Sequence, residues 1–197
     1  METRIQLVRH GPSSHVDDGR WLSSAEVDRW VIDYDAAGIV AHGSPPASVV
    51  ADAQRADVVA ASDLRRAIES AERLAPGRDL LVSPLLRELS VDFPRWLRMR
   101  LPMVFWDAVS HTQWTYRLLR RNAVSRRELA RATAAANWLG DAARGRDHVL
   151  VITHGGFRRL LASQLIVTGW KAESSRRGYE NWSVWSFRRR RDQADSA

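Results

Sequence analysis

The stretch "VLVITHGGFRRLLASQLIV", Val149–Val167, decides the architecture. Val149–Ile152 is an unbroken apolar run of strand length. Thr153 and His154 end it, Gly155-Gly156 follow, and a helix is expected from about Phe157 to Val167, closed by Gly169. A buried strand that runs at once into a helix is the unit of a parallel sheet with helices on its faces.

The same unit recurs upstream. Ile5–Val8, "IQLV", reads as a strand that stops at Arg9-His10-Gly11-Pro12. Asp57–Ala61, "DVVAA", is a short buried strand, and Ser62 stands as the N-cap of the helix that follows it, with Leu64, Ala67, Ile68, Ala71 and Leu74 on one face. Pro76-Gly77 ends that helix. Leu80–Val82 is another short strand, with Ser83-Pro84 turning away from it. Two S-x-x-E patterns, Ser23 to Glu26 and Ser125 to Glu128, look like capping boxes that start helices at about Ala25 and at Ser125. Trp182–Phe187, "WSVWSF", reads as a last strand, at a sheet edge or antiparallel. The fold class expected is α/β, a three-layer αβα sandwich with a mostly parallel sheet.

Residues 1–187 are expected to form one domain, with an excursion over about 90–122 that carries Phe93, Trp96, Phe105, Trp106, Trp114 and Tyr116 among arginines. That segment is too rich in large apolar side chains to be a linker. Residues 188–197, opening with four arginines, read as a basic, disordered tail.

Composition limits the chemistry. None of the 197 residues is a cysteine, which removes disulfides and thiolate metal sites and fits a reducing, cytoplasmic setting. The N-terminus carries no signal-peptide pattern, and there is no apolar run of membrane-spanning length, so no membrane partner is expected. A formal charge of +7 favours anionic ligands. Nine tryptophans raise base stacking as an option. Trp30, Trp138 and Trp185 fall in expected helices and strands, however, where core packing is the ordinary role, and no specific nucleic-acid partner is expected.

Ligands of open α/β sheets bind beyond the carboxyl ends of the strands. Three such ends here are Arg9-His10-Gly11, Ser62-Asp63-Leu64-Arg65-Arg66-Ala67 and Thr153-His154-Gly155-Gly156. Convergent arginines, imidazoles and helix N-termini form an anion site. An imidazole among fixed cations is pushed toward its neutral, nucleophilic form, which can attack phosphorus. A carboxylate must then protonate the leaving oxygen, and Glu88 is placed for it. A two-histidine metal site is the chemical competitor, but it lacks clustered carboxylates and has arginines at its flanks.

These residues resemble the histidine phosphatase superfamily, the phosphoglycerate mutase-like group. Arg-His-Gly at 9–11, S-x-L-x-R-A at Ser62–Ala67, L-x-E at Leu86–Glu88 and H-G-G at His154–Gly156 occur in that family's order. The resemblance implies a phosphohistidine mechanism without metal or cofactor. His10 is then the nucleophile, Glu88 the proton donor and His154 a further catalytic group. Arg9, Arg66, Gly11 and Gly155 hold the phosphate, with Arg66 rather than Arg65 the family arginine by its spacing. It implies a phosphatase acting on a phosphorylated small molecule or phosphoprotein. Mutase-type phosphoryl transfer and a non-catalytic phospholigand-binding module are the alternatives. Pro12 stands where family members often carry Glu or Gln, Val16 or a neighbour where many have an Asn, and "LSVDFPRW" after Glu88 lacks a glycine common there. Ser13, Ser14 and His15 are candidate substrate contacts. Oligomeric state is open, and His42, His111 and His148 read as loop or surface histidines.

Overall fold

A computed structural model describes residues 2–90, 93–94, 96–120, 123–173 and 178–190. Four strands run parallel: β1 (Glu2–Arg9), β3 (Val58–Ser62), β4 (Leu80–Ser83) and β6 (His148–Thr153). The sheet is closed on one side by β8 (Val184–Arg190), antiparallel to β1, and by the short β7 (Lys171–Ala172) beyond it, giving the order β4-β3-β6-β1-β8-β7.

Successive residues of the central strands serve opposite faces. Ile5, Leu7, Val149 and Val151 pack under α5 (Ala123–Ala142) and α6 (Gly155–Val167). Val8, Val59, Leu150 and Ile152 pack under α2 (Ala47–Arg55) and α3 (Arg65–Leu74). Both faces are covered, which is why these strands read as continuous apolar runs rather than alternating ones.

A third, smaller cluster stands at the carboxyl edge of the sheet. There α1 (Ser24–Ala36) and α4 (Met103–Arg120) meet through Val27, Leu22, Phe93 and Trp106, and β2 (Trp21–Leu22) pairs with β5 (Leu101–Pro102). The excursion expected over 90–122 thus supplies a strand and an 18-residue helix. The Trp106 indole N–H donates to the Leu22 carbonyl at 2.9 Å, tying the two helical segments together. No described helix is long and apolar enough to cross a membrane.

The capping box at Ser23 forms: Glu26 reaches back to the Ser23 N–H at 2.8 Å. Three other local expectations are corrected. Ser62 is the last residue of β3, paired with Ser83, and α3 begins at Arg65 with Leu64 as N-cap. Strand pairing there outlasts the capping signal by two residues. The second S-x-x-E pattern falls within α5 rather than before its start: Ser125 donates to the Arg117 carbonyl, and the buried Glu128 pairs with Arg131. The basic run does not begin a tail at 188, because β8 continues to Arg190, opposite Glu2. Arg188 lies 3.5 Å from the Glu2 carboxylate, and Arg189 stacks on Trp170 at 4.5 Å. Residues 191–197 fall outside the described residues. His148 also differs from expectation: it opens β6, half-buried, with Nε2 2.6 Å from Gln6 Oε1.

Candidate active site

Register alone brings the two histidines together. Arg9 pairs with Thr153 at the carboxyl ends of adjacent parallel strands. The next residues in each strand, His10 and His154, must then leave the sheet side by side. The His10 N–H donates to the Thr153 carbonyl at 3.0 Å, and the imidazole centroids are 5.0 Å apart.

The His10 tautomer follows from its partner. Nδ1 lies 2.7 Å from the Gly11 carbonyl. A carbonyl only accepts, so Nδ1 carries the proton and Nε2 carries the lone pair. Burial, reinforced by Arg66 and then by Arg9 and Arg158, pushes the His10 pKa down to about 3. The ring is therefore neutral in ordinary buffers. His154, fully buried, is held well below the usual histidine range by desolvation first and by its neighbours His10 and Arg66 next.

Around this pair stand polar groups with no partner among the described residues. The donors Arg9 Nε and Arg66 Nε and Nη2 are buried and unpartnered, and so are both ring nitrogens of His154, one a donor and the other an acceptor in the neutral ring. Their remaining atoms are tied down. Arg9 Nη1 donates to the Tyr179 carbonyl. Arg66 Nη1 donates to the Tyr34 carbonyl at 3.0 Å and to Asp35 at 3.1 Å, and its guanidinium lies 4.4 Å over the Tyr34 ring. The fixed arms orient the free ones. Buried donors of this density are costly without an anion among them.

Glu88 stands against the start of α6. Its Oε1 accepts from the Leu89 and Phe157 N–H groups at 2.9 and 2.7 Å, and Oε2 from the Gly156 N–H at 3.2 Å. The carboxylate thus caps the start of α6, where a negative charge is favoured by the helix dipole. Arg131 fixes the turn that presents it, donating to the Leu85, Arg87 and Glu88 carbonyls at 3.0, 2.7 and 3.2 Å.

Arg9, Arg66, Glu88 and Gly155 all line one cavity of about 780 Å³. Gly11 does not. Its N–H donates to Ser70 Oγ at 2.9 Å, and a Cβ there would come within 2.3 Å of the Trp182 ring. Glycine is required at 11 by that indole. Ser13 and Ser14 are also occupied elsewhere: Ser13 bridges to Ile39 and accepts from the His15 N–H, and Ser14 bonds the Gly38 carbonyl. His15 packs against Trp30 at 4.8 Å, behind the cavity wall.

Sequence reasoning missed the back of the site. Residues 178–183 clamp Arg9 and His10 from behind: Asn181 Nδ2 donates to the His10 carbonyl at 2.8 Å, and the Trp182 N–H donates to the Arg9 carbonyl at 3.0 Å. Arg158, buried in α6, holds this segment through the Ser183 carbonyl, Ser183 Oγ and the Gly178 carbonyl, at 2.7 to 3.0 Å. Burial first, and Arg9 next, lower its pKa to about 10. One signal was available. Arg158 follows His154 by one helical turn and shares the stripe of Leu161, Ala162 and Leu165, whereas Arg159 leaves it.

Comparison with known proteins places the arrangement. A mycobacterial glucosyl-3-phosphoglycerate phosphatase superposes with a TM-score of 0.56 at 18% identity, over 95% of this chain and 91% of that one. The phosphoserine phosphatase of Entamoeba histolytica, solved with 3-phosphoglyceric acid, gives 0.55 at 11% identity over 93% and 89%. A structure named mycobacterial hydrolase 1 gives 0.53 at 18% over 94% and 90%. A search of the curated proteins gives no significant match. The likeness in fold accompanies a match in sequence pattern over residues 5–196, and on that match the chain belongs to the histidine phosphatase superfamily, branch 1.

Proposed function

We propose that the protein is a phosphatase that hydrolyses a phosphate monoester in two steps through a phosphohistidine on His10. One observation carries this reading: a neutral imidazole with its Nε2 lone pair free stands among buried arginine and histidine donors that have no acceptor among the described residues. Membership in the superfamily and the phosphatases among the structural neighbours support it.

In the first step the Nε2 lone pair attacks phosphorus. The N–P bond forms as the ester P–O bond breaks, and a protonated Glu88 gives its proton to the leaving oxygen, releasing an alcohol. Arg9, Arg66 and His154 take the phosphoryl oxygens, with the Gly155 N–H at the start of α6 beside them. In the second step water attacks phosphorus, Glu88 takes the water's proton, and the N–P bond breaks to return His10 and inorganic phosphate. The positive charge that the transfer requires comes from the arginines, so no metal ion enters either step.

The test is phosphate release from an aryl phosphate in the presence of chelator. The wild type is expected to turn over and His10→Ala to lose at least about 10⁴-fold in rate. An acid-labile phosphohistidine, trapped by quenching and lost in His10→Ala, is the second readout. Full activity of His10→Ala overturns the mechanism. Return of the phosphoryl group to a second organic acceptor in preference to water would make the protein a mutase, and tight phospholigand binding without turnover would make it a binding module.

A further inference from the structure

The cavity is far larger than the anion site at its floor. Its volume of about 780 Å³ lies within the range, about 300–1,000 Å³, of sites that engulf drug-sized ligands. A phosphoryl group on a three-carbon alcohol would leave most of it empty. What surrounds the remaining space is therefore informative about the leaving group.

One wall is an aromatic ladder that starts at the phosphate pocket. The Arg66 guanidinium lies on Tyr34 at 4.4 Å. Tyr34 stacks on Trp30 at 5.2 Å with the rings 12° apart, and His15 closes the far face of Trp30 at 4.8 Å. Tyr34 and Trp30 both line the cavity. Their faces are engaged by one another, by Arg66 and by His15, so ring edges are what they present to it. Aromatic edges carry the positive end of the ring quadrupole and attract the negative π-face of another ring.

The opposite wall is one face of α4. Met103, Asp107, Ser110, His111 and Trp114 recur there at helical spacing and all line the cavity. Trp114 is 8% exposed, and its indole N–H is buried with no acceptor among the described residues. A buried indole N–H ordinarily finds a partner. Of the arginines on these walls, Arg87 is held by both oxygens of Asp63, and Arg159 lies over the Tyr179 ring.

We propose that the leaving group of the substrate carries a flat heteroaromatic ring, which sits face-on to the Tyr34–Trp30 edges and accepts a hydrogen bond from Trp114 Nε1. This rests on the phosphatase reading above. The bond broken is the same P–O bond, and the ring leaves with its alcohol.

The experiment holds the reacting centre fixed and varies only the ring. Ribose 5-phosphate and inosine 5′-monophosphate share a primary alkyl leaving oxygen, and the second adds a purine bearing a carbonyl acceptor. The expected ratio of kcat/KM, inosine monophosphate over ribose 5-phosphate, is at least about tenfold, expressed mainly in KM. Trp30→Ala is expected to bring that ratio close to one. Trp114→Phe, which keeps an aromatic ring but removes the N–H, is expected to lower it by about fivefold. A wild-type ratio near one, or one favouring ribose 5-phosphate, overturns the ring site and leaves the phosphatase reading standing. Failure to release phosphate from either compound or from an aryl phosphate overturns the phosphatase reading instead. Calorimetric binding of the two compounds to the His10→Ala variant then decides the ring site by itself, with equal affinities counting against it.

Discussion

The floor and the walls of the one cavity are built differently. At and just behind the floor four groups are held by something other than a substrate: His10 by the Gly11 carbonyl, Arg9 by Tyr179, Arg66 by Asp35, Glu88 by three backbone N–H groups. The walls come from α1 and α4, which pack on each other through their own small cluster at the sheet edge. The floor is preorganised by strands that cannot shift without breaking the sheet. The walls can differ in sequence at little cost to that sheet. On the proposed mechanism the reaction belongs to the first and the choice of substrate to the second, so a floor substitution should slow all substrates alike and a wall substitution should change their ranking.

The largest effect that tests this division is Arg66→Met, which replaces a wholly buried guanidinium by an apolar chain of similar length. We expect kcat/KM to fall about 10³-fold on inosine monophosphate and ribose 5-phosphate equally, measured by phosphate release. An unequal loss would mean that the floor also selects substrate.

Glu88→Gln keeps an oxygen for the α6 N–H groups but cannot deliver a proton. It is expected to lower kcat about 10²-fold on an alkyl phosphate and far less on a nitrophenyl phosphate, whose leaving oxygen departs without protonation. Equal losses on both would reduce Glu88 to a helix cap.

The smallest effect is on stability and belongs to the floor alone. His10 is neutral in the folded protein down to about pH 3, whereas an unfolded histidine takes up its proton near pH 6.5. Between these values the unfolded chain binds more protons, so stability falls as pH falls, by about 1.4 kcal/mol per unit at most for His10. His154 acts in the same direction. Above about pH 6.5 both states are neutral and the contribution is full and level. Urea midpoints at pH 7.5 and pH 5 check this, and His10→Gln is expected to show the shallower slope. Identical slopes would show that His10 is not held neutral by its burial.

The floor was largely legible in the sequence because its groups follow apolar strands, His10 and His154 at once and Arg66 and Glu88 four and five residues on. His10 and His154 meet because Arg9 pairs with Thr153. Arg158 and Asn181 were not legible, since their partners lie on a loop whose approach to β1 depends on the placement of β8. What packs behind Gly11 was not legible for the same reason: it is the Trp182 indole, and nothing local to 9–12 announces it. Of the walls, α1 was placed by the capping box at Ser23, whereas α4 was read only as part of an aromatic excursion. An 18-residue helix with arginines and tryptophans on several faces has no single clean stripe.

The clamp behind His10 has a consequence for synthesis. Asn181 and Tyr179 reach Arg9 and His10 across 171 and 170 residues of chain, and β8 is the strand that completes the pairing of β1. Contacts so distant along the chain form late. While a ribosome is still making the segment before Tyr179, His10 already exists as a residue but lacks its back wall, and Arg9 lacks the carbonyl that holds it. On the proposed mechanism, competence therefore waits until residues 178–190 are made and docked, and a nascent chain that stops short of them is not expected to hydrolyse phosphate esters.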